Sequence, residues 1–192
     1  MPSHFLAYMA RTKLIRRWSL MRNTIEENDL EHTAMVTMIA HTLCAIKKTR
    51  YGEEADTLLA LEYAIYHEAA EVITGDLASP IKYFNPQIKD AFKRIEHLAS
   101  EKMLSYLPAD LAPQYEGLLF PDAESVEWRI VKAADKISAY LKCVEEARQG
   151  NMEFVQAQET LLKQIQAMQM PEVHDFMEEF APSFRLTIDG MN

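Results

Sequence analysis

Glycine is scarce in this 192-residue chain, which has only five glycines. Tight β-turns draw on glycine because it adopts positive φ freely, so a fold built from β-hairpins is disfavoured. No apolar run approaches the roughly 18 residues of a membrane-spanning helix, and no apolar segment followed by a cleavage site stands near the N-terminus. We therefore expect a soluble helical protein, located in the cytoplasm and not bound to a membrane.

Cysteine is also scarce, since the sequence has only Cys44 and Cys143. Both stand alone inside helical patterns and are far apart in sequence. Disulfide frameworks belong mainly to small secreted domains, so we interpret both residues as reduced core residues. A disulfide is the less favoured alternative.

Positive charge is deficient, with 20 basic against 29 acidic residues and a net charge of −9. This balance argues against binding a nucleic-acid polymer, which needs a broad positive surface. The first acidic residue is Glu26, and the segment before it carries Arg11, Lys13, Arg16, Arg17 and Arg22. This cationic segment is suited to hold one small phosphate, although a solvated basic helix face or a leader segment is the alternative for any single residue.

Apolar periodicity predicts helices along the whole chain and one compact all-α domain over residues 1–192. The predicted helices are 3–15, 29–48, 54–73, 86–106, 109–118, 122–149, 152–169 and 171–180. Their boundaries rest on an Asn28–Glu31 capping box, on Gly75 and Gly150 at helix ends, and on Pro86, Pro121 and Pro171 at or before first turns. The C-terminal segment SFRLTIDG is predicted as an extended tail that packs locally.

The third predicted helix places charged residues on its apolar face. At about 100° per residue, that face consists of Leu58, Leu61, Ala64, Ile65 and Val72. Glu68 falls near its middle, and His67 and Glu71 share one edge. Tyr63 and Tyr66 fall on the opposite side, together with Glu62.

Two other helices show the same feature. His32 lines up with Met35, Val36, Ile39, Leu43 and Ile46, and Asp135 lines up with Trp128, Val131 and Ala139. A lone buried histidine is more often satisfied by a backbone carbonyl. Buried carboxylates, however, need positive charge nearby, and on these faces only Lys132 and Lys136 flank one of them. A divalent cation bound by imidazoles and carboxylates resolves the conflict, so we predict a metal site.

The residues of this site follow a recognisable order. The segments EHTAMVTMIAH, YHEAAEVITGD and VKAADKISAYLKC resemble the HD-domain superfamily of metal-dependent phosphohydrolases. The flanking segments RRWSLMRN, EVITGDLASPIKYFN and DFMEEFAPSF resemble its bacterial 5′-deoxynucleotidase branch. The resemblance covers nearly the whole chain.

The resemblance implies hydrolysis of 2′-deoxyribonucleoside 5′-monophosphates by a cytosolic homodimer that uses a divalent metal such as cobalt or manganese. It also implies roles for individual residues. These are metal ligation by His32, His67 and Asp135, phosphate and sugar contacts by Arg17 and Trp18, proton transfer by Glu71, and lining of the site by Asp76. On residue type alone, Trp18 is equally a hydrophobic anchor, and Asp76 after Gly75 is a turn cap.

One position departs from the superfamily pattern. The doublet here is His67-Glu68, where the superfamily has His-Asp. Glutamate ligates the same metals but reaches roughly 1.5 Å further. We expect Glu68 to be the fourth ligand and expect the longer side chain to reduce activity. The alternatives are a phosphodiesterase or pyrophosphohydrolase of the same superfamily, a catalytically impaired nucleotide-binding module, and a purely structural helical protein.

Overall fold

The computed structural model describes residues 2–78, 81 and 84–192, and this part of the chain is mainly helical. The α-helices are α1 (Phe5–Met9), α2 (Asp29–Tyr51), α3 (Thr57–Tyr66), α4 (Glu71–Thr74), α5 (Pro86–Leu104), α6 (Ala112–Leu119), α7 (Val126–Arg148), α8 (Val155–Gln166) and α9 (Pro171–Glu179). Short 3-10 turns cover Thr12–Leu14, Met152–Phe154, Ala181–Arg185 and Ile188–Met191. Over the described residues, β structure is limited to one isolated bridge between Arg16 and Asn28. The all-α class is confirmed.

Two helices of 23 residues each, α2 and α7, form the centre of the main core, against which α3, α8 and α9 pack. The predicted stripe of α2 is confirmed, since Val36, Ile39, Leu43 and Ile46 are all buried. Cys44 and Cys143 are buried free thiols, as expected. Within the described residues, no helix combines the length and apolar character needed to cross a bilayer.

The predicted boundary signals are largely confirmed. The Asn28 side chain accepts from the backbone of Leu30 and Glu31, and the Glu31 carboxylate accepts from the backbone of Asn28, which is a complete capping box. Gly75 ends α4, and Gly150 lies just beyond α7 with φ +85°. Four residues of the segment EVITGDLASPIKYFN, at 79, 80, 82 and 83, lie outside the described residues.

The predicted helix at 54–73 is interrupted, which corrects the prediction of one continuous helix. The structure ends α3 at Tyr66 and begins α4 only at Glu71. Between them, the backbone N–H of Ala69 donates to Tyr66 (2.9 Å) and that of Glu71 donates to Glu68 (3.0 Å). This i to i−3 spacing is that of a tight 3-10 turn, so the side chains after Tyr66 leave the regular helical directions.

The buried face of α3 also differs from the prediction. Ala60, Tyr63 and Ala64 are buried, whereas Leu58 and Ile65, predicted to face the core, are 67% and 43% exposed. Tyr63 was assigned to the opposite side, so that assignment is wrong as well. The two alanines allow α3 to approach the main core closely.

The two ends of the chain differ from the prediction too. The predicted helix at 3–15 divides into α1 and the turn Thr12–Leu14. The tail predicted to be extended instead forms the turns Ala181–Arg185 and Ile188–Met191, and Phe184 packs against the main core. A partly buried aromatic side chain favours this compact path over an extended one.

Candidate metal centre and active site

Four side chains predicted as metal ligands converge in the structure. His32 comes from the first turn of α2, His67 and Glu68 come from the turn after α3, and Asp135 comes from the middle of α7. One ligand atom from each lies within 4.8 Å of all the others. We call His32, His67, Glu68 and Asp135 the donor cluster.

Hydrogen bonds orient both imidazoles so that Nε2 faces the donor cluster. The Nδ1 of His67 lies 2.7 Å from the carbonyl oxygen of Ala64, to which it donates. The Nδ1 of His32 lies 3.2 Å from Oγ of the buried Ser138, and its Nε2 lies 3.1 Å from Oδ1 of Asp135. The Nε2 of His67 is buried without a hydrogen-bond partner. A lone pair buried in this way fits metal ligation.

The electrostatics of the donor cluster also fit a cation. Burial opposes ionisation of Glu68, but the adjacent His67 lowers its pKa well below the usual range. Burial likewise opposes ionisation of Asp135, yet Lys132 and His32 hold its pKa well below normal. Burial tends to lower the pKa of His67, but Glu68 raises it overall. Two ionised carboxylates and two imidazole nitrogens are a donor set suited to a divalent transition metal.

The longer glutamate side chain reaches the donor cluster. Oε1 of Glu68 lies 3.3 Å from Nε2 of His67 and 3.8 Å from a guanidinium nitrogen of Arg17. Because the helix has already ended at Tyr66, the carboxylate approaches from a tight turn rather than from a regular helix. The extra methylene is accommodated without displacing the carboxylate from the other donors.

Arg17 supplies positive charge that helical periodicity did not reveal. Its guanidinium lies 3.4 Å from Glu27, 3.8 Å from Asp29 and 3.8 Å from Glu68. Lys132 and Lys136 are the lysines predicted on the helix faces themselves, and Arg17, which the family resemblance assigned to the site, adds positive charge from outside those faces. Arg17 stands among these carboxylates from a loop outside the helices.

The two predicted lysines have different positions. Nζ of Lys132 lies 3.4 Å from Oδ2 of Asp135, so it does neutralise that carboxylate. Lys136 instead donates to the side chain of Gln164 at 3.0 Å. Lys132 therefore belongs to the surroundings of the donor cluster.

The cationic segment contributes one guanidinium to the site. Arg17 is largely buried, and Arg16 pairs with Glu26 (3.0 Å) on the surface. The other basic residues of the segment, Arg11, Lys13 and Arg22, are exposed. The solvated-surface interpretation therefore holds for every member except Arg17.

Carboxylates crowd the side of the donor cluster that faces Arg17. Burial and the neighbouring Glu68 raise the pKa of Glu71 to about 11. Burial also raises the pKa of Asp29 to about 7, although Arg17 opposes the shift. Asp76 lies close enough to contribute to both shifts. Asp29 was not predicted from the sequence, yet it is fully buried and neither of its oxygens has a hydrogen-bond partner.

Trp18 follows Arg17 in an unusual backbone conformation, with φ +55°. Its ring packs against Phe154, with centroids 5.4 Å apart, and its indole nitrogen is buried without a partner. The packing agrees with the anchor interpretation of Trp18.

The comparison with known protein families matches nearly the whole chain. The family model described as 5′-deoxynucleotidase YfbR-like matches residues 4–184. The 5′-deoxynucleotidase YfbR of Shigella boydii is 44% identical over 191 residues, covering 99% of this chain and 96% of that protein. A 5′-deoxynucleotidase of Shewanella oneidensis is 43% identical, covering 99% and 98% respectively.

Solved structures confirm the fold. An HD-domain phosphohydrolase from Listeria innocua has a TM-score of 0.83 at 24% identity, covering 94% of this chain and 88% of that one. A cyanophage S-2L HD phosphohydrolase, bound to dA and one catalytic Zn²⁺ ion, has a TM-score of 0.67 at 21% identity, covering 94% and 96%. The HD-domain fold and the resemblance inferred from the motifs are confirmed. The chain belongs to the YfbR-like 5′-deoxynucleotidase family.

Proposed function

We propose that this protein hydrolyses 2′-deoxyribonucleoside 5′-monophosphates to deoxynucleoside and phosphate, acting as a single HD-type domain. The convergence of the donor cluster beside Arg17, in a chain of this family, carries the proposal. The names of the relatives supply the substrate class.

The donor cluster is the proposed metal site. Imidazole nitrogen and carboxylate oxygen together favour a transition metal such as cobalt, manganese or zinc over a hard, oxygen-only ion. A divalent cation held there supplies Lewis acidity towards water and towards a phosphate oxygen. Glu68 takes the position that aspartate has in the superfamily pattern, and its carboxylate already lies among the other donors.

Arg17 is the proposed phosphate-binding residue. Its planar guanidinium presents several N–H donors and suits two phosphate oxygens at once. In the structure it lies beside the carboxylates of Glu68 and Asp29, so a phosphate placed next to the donor cluster reaches it without a change of fold. Arg17 therefore orients the phosphate against the metal site.

Trp18 is proposed to form one wall of the sugar pocket. The ring is fixed against Phe154, which makes it a rigid surface rather than a mobile one. A rigid aromatic wall beside the phosphate-binding residue excludes a 2′-hydroxyl by steric contact and accepts a deoxyribose.

Glu71 and Asp76 are proposed to serve the leaving group. Glu71 is buried one turn from His67, next to Glu68, in a position to donate a proton towards the 5′-oxygen. Asp76 follows Gly75, which ends α4 with φ +71°, and it lies close enough to Glu71 to help raise the pKa of that residue. We assign Asp76 to the lining of the site beside the scissile ester.

The assembly and location are proposals as well. We propose a cytoplasmic homodimer that binds neither a membrane nor a nucleic-acid polymer. The net charge of −9 disfavours the polymer. The exposed Leu58 and Ile65 on α3 offer apolar surface for contact with a second copy.

A phosphate-release assay tests the function. The protein, supplied in turn with cobalt, manganese and zinc, is assayed on all common deoxyribo- and ribonucleoside 5′-monophosphates, on di- and triphosphates, and on cyclic nucleotides. We expect activity on the deoxyribonucleoside monophosphates and much less on the rest. Equal rates on the deoxy and ribo series would refute the specificity, and activity confined to cyclic nucleotides or triphosphates would refute the reaction.

A further inference from the structure

The segment that carries Arg17 and Trp18 is a loop closed at its base. The backbone N–H of Arg17 donates to the carbonyl of Glu27 at 3.0 Å, and Arg16 bridges to Asn28 beside it. We call residues 17–27 the arginine loop. These backbone contacts fix the two ends of the loop but not the conformation of the residues between them.

The C-terminal half of the arginine loop is held by α7. The carboxylate of Glu146 accepts from the backbone N–H of Thr24 (2.8 Å) and from that of Ile25 (3.1 Å). The ammonium of Lys142, one turn earlier on α7, donates to the carbonyl of Ile25 and to Glu146. One ion pair thus satisfies two backbone N–H groups and one backbone carbonyl of the loop.

A third side chain completes this anchor. Nδ2 of Asn151 donates to the carbonyl of Arg22 (2.7 Å) and to Glu146 (2.8 Å). The backbone N–H of Arg22 donates to the side chain of Glu153 at 3.3 Å. The loop is therefore tied at Arg22, Thr24 and Ile25, all in its C-terminal half.

The ion pair is deeply buried, with Glu146 1% and Lys142 6% exposed. Buried ion pairs contribute little net stability compared with apolar packing, because desolvation of both charges is costly. Their better-attested benefit is to fix one geometry. Here the geometry they fix is that of the arginine loop.

The backbone conformation and ring position of Trp18 are linked to this anchor. A positive φ is strained for a bulky residue and persists only where the surroundings impose it. The carbonyl of Trp18 accepts from the backbone of Met21 (2.9 Å) and from Asn23 (3.2 Å), inside the anchored loop. Its ring rests on Phe154, over which Lys142 lies.

We propose that Glu146 is a positioning residue that sets Arg17 and Trp18 for substrate through the arginine loop, an inference that rests on the proposed function. Glu146 stands three turns, roughly 16 Å, from Asp135 along α7. It therefore acts through the loop and does not touch the reacting atoms.

The test compares Glu146→Gln with Glu172→Gln. Glu172 is an equally buried glutamate beside a lysine, Lys47, but it lies on α9 away from the arginine loop. We expect Glu146→Gln to raise KM for deoxynucleoside monophosphates by about tenfold or more and to reduce discrimination against ribonucleotides, with kcat and metal content changed far less. Glu172→Gln leaves KM and the discrimination unchanged.

A second measurement does not depend on activity. Trp18 and Trp128 are the two tryptophans of the chain, so a Trp128→Phe background reports Trp18 alone. We expect Glu146→Gln to shift its fluorescence to the red and to increase quenching by acrylamide. If Glu146→Gln does not fold, Asn151→Asp replaces it, since this variant keeps the oxygen that caps the turn at Met152 but loses the donor to Arg22.

The outcomes separate the two proposals. Hydrolysis by the unchanged protein with equal KM and equal Trp18 emission in the Glu146 and Glu172 variants overturns the positioning role alone. No hydrolysis of any nucleoside monophosphate by the unchanged protein overturns the proposed function. In that case an unchanged Trp18 signal in Glu146→Gln overturns the positioning role as well.

Discussion

The imidazole of His67 donates from Nδ1 to the carbonyl oxygen of Ala64, three residues earlier, at 2.7 Å. This bond places the proton on Nδ1 and leaves the lone pair of Nε2 pointing at Glu68 and Asp135. The tight turn after Tyr66 makes the geometry possible, because it brings the ring back over the end of its own helix. The break in the helix thus orients His67 for metal ligation.

The orientation of the other imidazole predicts the effect of Ser138→Ala. Oγ of Ser138 lies 3.2 Å from Nδ1 of His32 and keeps Nε2 directed at the donor cluster. We expect its removal to weaken metal binding by about tenfold, with a loss of about 1 kcal/mol in unfolding free energy. Competition with a chelator measures the affinity. Ser100→Ala, another buried serine, is the control, and equal affinities of the two variants would contradict the prediction.

For metal affinity, we expect the charge of the Glu68 side chain to matter more than its length. Its carboxylate lies 3.3 Å from His67 among the other donors, so Glu68→Gln removes a donor charge and we expect metal affinity to fall about 100-fold. Glu68→Asp keeps the charge and retains affinity within about tenfold. Metal content after dialysis distinguishes them. Retention of metal by the glutamine variant would remove Glu68 from the ligand set.

Arg17 is expected to weaken metal binding and to strengthen phosphate binding. Its guanidinium lies 3.8 Å from Glu68, where it repels a bound cation but attracts a phosphate. We expect Arg17→Met to lower kcat/KM by about 100-fold while raising metal affinity severalfold, roughly as expected for loss of one partly screened charge. Calorimetric titration with manganese and phosphate-release rates measure the two effects. Arg16→Met, which removes an exposed neighbour paired with Glu26, should change neither, and a fall in both quantities for Arg17→Met would be the contrary result.

The sequence predicted the donor cluster because its members interrupt apolar stripes. It did not predict the break after Tyr66, since the residues 67–70 are His-Glu-Ala-Ala, with no glycine or proline to signal an end. Helical propensity favoured continuation, and tertiary packing overrode it. The exposure of Leu58 follows from the same packing, in which Ala60, Tyr63 and Ala64 face the core and Leu59 packs beside them.

Asp29 shows why part of the site was not predictable from the sequence, whereas Arg17 was assigned to the site by the family resemblance. An acidic residue after an N-cap is ordinary at the start of a helix, where it complements the helix dipole. Its burial arises because the arginine loop folds over it and brings Arg17 to 3.8 Å. The same loop is bound by Glu146 and Asn151, more than 100 residues away in sequence, and local patterns do not encode such contacts.

The anchor at Glu146 predicts how stability changes in acid. Although burial opposes ionisation, hydrogen bonds from Lys142 and from the backbone of Thr24 and Ile25 lower the pKa of Glu146 from 4.5 to about 2. A carboxylate with a lowered folded-state pKa stabilises the fold above its unfolded pKa and loses that contribution as pH falls through the folded value. We expect Glu146→Gln to reduce the unfolding free energy by at most about 3 kcal/mol at pH 7, with the difference shrinking below pH 4.5 and vanishing near pH 2.

Urea unfolding of the metal-free protein across this pH range measures the difference, with exposed Glu159→Gln as the control for loss of one charge. If Glu146→Gln loses the same unfolding free energy at pH 3 and at pH 7, the ionised carboxylate does not hold the loop. If that loss of unfolding free energy disappears in acid, and Trp18 becomes more exposed over the same pH range, the conformation of the arginine loop depends on the ionised carboxylate. Stability in acid and substrate positioning would then share a single ion pair, because the hydrogen bonds that depress the pKa are the ones that hold the loop.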